Sequence, residues 1–95
     1  MDKQELTDRL LEFAARNIRL ASALPKSAIG KHVGMQLMRS ATSSGANYCE
    51  ACGAESRQDF IHKMQIVIKE LRETQFWLRL LPKAGLVREA RLAAI

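Results

Sequence analysis

Cys49, Glu50, Ala51 and Cys52 form a CxxC, the spacing in this chain that comes nearest to a metal or redox site. A tetrahedral zinc site needs two further ligands. There is no second Cys pair, and His32 and His62 do not stand at ligand spacing from this one. A reactive dithiol is favoured at a helix N-terminus, whereas this motif falls at the C-terminal end of a helical pattern, where the helix dipole disfavours a thiolate. Thr42, Ser43 and Ser44 lie in the same helical stretch and not in a strained nucleophile turn. The chain has no glycine-rich phosphate loop and no paired-His motif. The expectation is a protein without catalytic residues, metal or cofactor, and therefore not an enzyme.

The bases point elsewhere. Arg16, Arg19, Lys26, Lys31 and Arg39 lie between Phe13 and Asn47 with no acid among them. They are candidate phosphate contacts, to be weighed against a solvated helix face. No platform of exposed aromatics is interleaved with these bases, so recognition of shape or backbone is expected rather than base readout. Arg39, Asn47 and Glu50 are the polar groups expected to be buried or shared in a small-residue run, Gln36 to Gly53. Arg39 and Glu50 are too far apart for an i,i+4 pair, so each should meet a group from another helix or chain. Glu70 and Glu73 read as ordinary surface charges.

Four helical segments position these groups, at about 3–24, 28–52, 57–81 and 86–95, in one domain over 1–95. Asp2, Ser27 and Ser56 are the expected caps. In the first segment Leu6, Leu10, Phe13, Asn17, Leu20 and Leu24 recur on one face, which ends near Pro25. Asn17 is polar there and needs a partner inside the bundle. The short Pro25–Ser27 link sets the second helix antiparallel to the first.

That second helix shows two faces. One carries Ile29, Val33, Leu37, Ser40, Ser44, Asn47 and Ala51. The other carries Gly34, Met38, Ala41, Gly45 and Cys52, and it is expected to receive a fourth helix or a neighbouring subunit. The third helix has the stripe Phe60, Met64, Val67, Leu71, Thr74, Leu78 and Leu81, broadened by Ile61 and Ile68. It should be about 35 Å long and end at Pro82. Ile66, Phe76, Trp77 and Leu80 lie off the stripe and are expected to be oligomer contacts.

Composition agrees with an all-α domain: of 95 residues, 47% are apolar but only 5% aromatic. No apolar run approaches the roughly 20 residues of a membrane span. The N-terminus carries no signal-peptide core, and two nearby cysteines cannot staple a domain, so a reduced, cytoplasmic protein is expected. The net charge of +5 and pI near 9.7 favour phosphate-rich partners.

The run Gln36-Leu37-x-Arg39-Ser40-Ala41-Thr42-Ser43-Ser44-Gly45-Ala46-Asn47-Tyr48-x-Glu50-Ala51, followed by Ser56-Arg57-Gln58-Asp59-Phe60, resembles the signature of the 23S ribosomal RNA intervening-sequence protein family. Lys69-Glu70-Leu71-x-Glu73-Thr74 and Trp77-Leu78 fit as well, and the resemblance spans roughly residues 6 to 90. It implies an antiparallel up-down four-helix bundle that assembles as a ring-like homopentamer. It also implies kinship with the accessory variability protein of diversity-generating retroelements, a basic pentamer that binds nucleic acid and a reverse transcriptase. It brings no catalytic residues, and Arg39, Asn47 and Glu50 fall on its recurring polar positions. Tyr48 departs from the aliphatic residue common in the family. The chain also ends sooner than is usual there, with a short fourth helix. The resulting expectation is an oligomeric bundle that binds RNA or DNA through a basic surface. The alternative is an oligomeric scaffold for a protein partner.

Overall fold

The computed structural model describes residues 1–88 and 92, and the described residues form three helices: α1 (Lys3–Ala23), α2 (Ala28–Cys52) and α3 (Arg57–Lys83). Each begins where a short polar side chain can satisfy an otherwise unpaired amide of the first turn. Asp2 accepts from the Glu5 amide at 2.8 Å, Ser27 from Gly30 at 3.1 Å and Ser56 from Asp59 at 3.1 Å.

The ends follow from local chemistry too. α1 stops at Ala23, just before Leu24 and Pro25, because the residue preceding a proline is pushed out of the helical region. α3 runs one half-turn further than expected, through Pro82 to Lys83. It then closes with Gly85 at φ +73, the Gly85 amide donating to Pro82 (3.1 Å) and the Leu86 amide to Leu81 (2.9 Å). That is a Schellman turn, which glycine alone enters without steric cost. A proline in the last turn forfeits one backbone bond and leaves the cap intact.

α2 lies between α1 and α3 and packs on both, in a body of 44 × 22 × 17 Å. One end of the core is built from Leu20, Leu24, Val33, Leu37 and Leu81. The other gathers Leu10, Tyr48 and Val67, with Leu6, Met64 and Leu71 half-buried against them. Between these lies a polar layer of buried Asn17, Ser40, Ser44 and Thr74. Asn17 finds its partner within its own helix, donating to the Phe13 carbonyl at 2.8 Å. Thr74 donates to Ser40 across the α2–α3 contact at 2.9 Å.

Three expectations are corrected. The small face of α2 does not await a further helix, since α1 occupies it: a Cβ built on Gly34 would lie 3.4 Å from the Ala21 carbonyl oxygen, and one on Gly45 would lie 3.5 Å from Leu10 Cβ. Ile61 and Ile68 do not broaden the core stripe and are exposed, because α3 turns Val67, Glu70, Thr74 and Leu81 toward α2 instead. The fourth helix expected over 86–95 lies mostly outside the described residues. Of that segment Leu86, Val87 and Arg88 are not helical, while the Leu92 amide donates to Arg88 at 3.2 Å.

Candidate nucleic-acid interface

Glu70 is buried at 6% exposure, although a carboxylate is costly to remove from water. Its compensation comes from α2: Arg39 Nη1 donates to Glu70 Oε2 at 3.3 Å, and Arg39 Nη2 is bonded to Glu73. Glu73 also accepts from Trp77 Nε1 at 3.0 Å. Trp77 in turn stands edge-on to His32, with ring centroids 6.1 Å apart, and to Phe76, at 5.1 Å. The result is a continuous polar seam along the α2–α3 contact. Nearer the other end, Lys63 Nζ donates to Glu50 Oε1 at 3.0 Å. Among the described residues every buried side-chain nitrogen and oxygen has a partner.

Arg39 and Glu50 thus each meet a group on α3. Asn47 does not join them; its amide donates to the Ser43 carbonyl at 2.9 Å within α2. Glu70 and Glu73, read as surface charges, are the anchors of the seam.

The four residues expected to be oligomer contacts differ in exposure within the single chain. Trp77 and Leu80 are half-buried against the core at the Leu81 end, and Ile66 is half-buried as well, so only Phe76 stands open, at 58% exposure. The reason is rotational: Ile66, Trp77 and Leu80 share the flank of α3 that borders the seam, whereas Phe76 points away from it.

The five candidate bases separate into three groups. Arg39 is bound by two carboxylates, so its charge is compensated. Arg16 and Arg19 both reach Glu12 of their own helix, at 3.1 and 3.5 Å. Lys26 and Lys31 share a shallow groove over the α1–α2 turn, floored by Ala21, Leu24, Gly30 and Gly34. Gly30 makes the turn possible: a Cβ there would sit 2.0 Å from the Pro25 carbonyl oxygen.

The fold adds bases that a linear reading leaves apart. Residues 13–49 contain no acid, and neither do residues 74–88. The core at the Leu81 end brings these two stretches together. Lys26 and Lys31 therefore share one end of the molecule with Arg79, Lys83 and Arg88. The acids Asp2, Glu5, Glu55 and Asp59 sit at the opposite end. The molecule is polarised along its length.

The cysteines lie at that acidic end. Both thiols are free, Cys49 exposed and Cys52 half-buried. No group of three His, Cys, Asp or Glu among the described residues could hold a metal ion. Tyr48 is held above its ordinary value of 10.0, first by hydrogen bonding with the Cys52 side chain, then by burial and by the charges of Cys52, Asp2 and Cys49. No helix among the described residues is long and apolar enough to cross a membrane.

The model of the 23S rRNA-intervening sequence protein family matches residues 2–95. The chain belongs to this family. The intervening-sequence chain is also similar to a crystal structure of a protein of unknown function from the S23 ribosomal protein family of Bacteroides thetaiotaomicron. The two are 39% identical with a TM-score of 0.84, over 93% of this chain and 82% of that one. Among curated proteins none matches. In this intervening-sequence protein the missed bases, Arg79, Lys83 and Arg88, did carry a signal. They fall in a second acid-free run, and an antiparallel third helix had to return it to the first turn.

Proposed function

We propose that this member of the 23S rRNA-intervening sequence protein family is a non-enzymatic nucleic-acid-binding protein whose ligand is structured RNA, held by the basic end of the bundle. The carrying observation is the convergence of two acid-free segments on one end of the fold, with Lys26, Lys31, Arg79, Lys83 and Arg88 around it. Phosphates neutralised there release counterions, and the gain is independent of sequence. The cluster of acids at the opposite end, Asp2, Glu5, Glu55 and Asp59, would orient the approach.

Assembly belongs to the same reading. Leu11 and Ile18 on α1 and Ile61 and Ile68 on α3 are exposed, each pair seven residues apart on one face of its helix, the arrangement a partner helix or subunit covers. We read these residues as contacts of a homo-oligomer, with the pentamer implied by the family resemblance as its form. Leu86, Val87 and Leu92 pack against the core, which supports completion of a four-helix bundle by the C-terminal segment. The same exposed residues favour the second reading, a scaffold that docks a protein such as a reverse transcriptase.

Salt separates the two readings. A structured RNA such as a ribosomal stem-loop is expected to be retained on a filter at low salt and released steeply as salt rises. Failure to retain structured RNA or duplex DNA at low salt would contradict the proposal.

A further inference from the structure

Phe76 is the more open of the two exposed phenylalanine rings of α3, at 58% against 39% for Phe60, and its neighbours on that face are bases. Phe76 and Leu80 floor a shallow depression rimmed by Arg72, Arg79 and Lys83, with the Gln75 amide beside them. Among the described residues none of these three bases is in an ion pair. The ring is also held in place. It stands edge-to-face on Trp77 with centroids 5.1 Å apart, and Trp77 is fixed by its bond to Glu73. The seam that aligns α2 with α3 therefore orients this platform as well.

We infer that this depression is a nucleotide subsite, in which an unpaired base of the RNA stacks on Phe76 while its flanking phosphates meet Arg72, Arg79 and Lys83. This rests on the proposed function and sharpens it from backbone contact to capture of an unstacked base. A flat apolar ring offers any base a π-face, an amide can bond a base edge, and bases before and after the ring match the phosphates on either side of one nucleoside. A subunit contact centred on this face fits poorly, because it would have to bury Arg72, Arg79 and Lys83, and interface centres are depleted of such charge.

The test uses the full chain and two labelled hairpins of equal length, one fully paired and one with a single unpaired purine, compared by fluorescence anisotropy. The bulged hairpin is expected to bind about fivefold to a hundredfold tighter. Phe76→Ala should abolish that preference and leave the paired hairpin's affinity unchanged, while Phe76→Trp should preserve it. Equal affinity for the two hairpins, or a preference that survives Phe76→Ala, overturns the subsite and leaves the proposed function standing. Binding of neither hairpin overturns both. Loss of oligomeric mass in Phe76→Ala, seen by light scattering, would assign the face to a second copy and overturn the subsite.

Discussion

Replacing Arg39 by methionine should destabilise the fold through what it leaves behind. The substitution keeps an aliphatic stem across α2 and removes the guanidinium that bonds Glu70 and Glu73. Glu70, 6% exposed, then keeps a buried charge with no counter-charge on α2, and Glu73 one turn away repels it. Exposed ion pairs contribute about 0–1 kcal/mol, while breaking a buried pair costs about 3–5 kcal/mol. The Arg39 side chain is 46% exposed and the Glu70 side chain 8%, so the loss should fall between these limits, at about 2–4 kcal/mol. At about 4–8 °C per kcal/mol for a domain of this size, thermal unfolding by circular dichroism should drop by roughly 8–30 °C. The control is Arg39→Met combined with Glu70→Gln, which removes the stranded charge and should recover more than half of the loss. An Arg39→Met midpoint within about 0.5 kcal/mol of the parent, a typical surface effect, would refute the reasoning. So would a double variant no more stable than the single one.

Gly30→Ala forces a methyl group to within 2.0 Å of the Pro25 carbonyl oxygen. The α1–α2 turn must shift, and urea unfolding should show a loss of about 1–3 kcal/mol; an unchanged midpoint would mean that the turn yields freely. Tyr48 is the chain's one tyrosine, so alkaline absorbance titration reads it alone. Its midpoint should lie above 10.0, and Cys52→Ala should bring it down. Because the folded value is the raised one, this contribution to stability is complete below the unfolded value and is lost as pH climbs through the folded one. A midpoint at or below 10.0 contradicts the placement. Light scattering at micromolar concentration should give an oligomer, and Ile61→Glu with Ile68→Glu should reduce it to monomer; a parent chain that is already monomeric contradicts the assembly.

Much of this architecture is legible in the residues. The caps Asp2, Ser27 and Ser56 follow from hydrogen-bonding chemistry within a few residues, and the all-helical character follows from three- and four-residue recurrence. What escapes is rotation about a helix axis. Glu70 and Leu71 lie equally well three or four residues beyond Val67, and the stripe alone selects the apolar one. The guanidinium arriving from α2 lets the carboxylate take the inner position. Trp77 moved from outer face to half-buried flank for a related reason, since beside its i,i+4 partner Glu73 it meets His32 of α2, which no local pattern shows. The candidate site was half visible. Lys26 and Lys31 stood out through the missing acids, but Arg79, Lys83 and Arg88 joined them only through the fold, whereas Arg72, Arg79 and Lys83 already stand at helical spacing around Phe76 in the sequence.

The salt dependence of RNA binding tests the central claim most directly. Anisotropy with a structured RNA between 50 and 200 mM salt should give a line of log affinity against log salt. Its slope should flatten by about 0.7–0.9 for each phosphate contact removed in Lys26→Gln, Lys31→Gln and Lys83→Gln. Neutralising Lys3 and Arg9 at the acidic end should leave the slope unchanged. A flat line for the parent protein, or a slope that responds equally to both sets of substitutions, would contradict the assignment of RNA to the basic end.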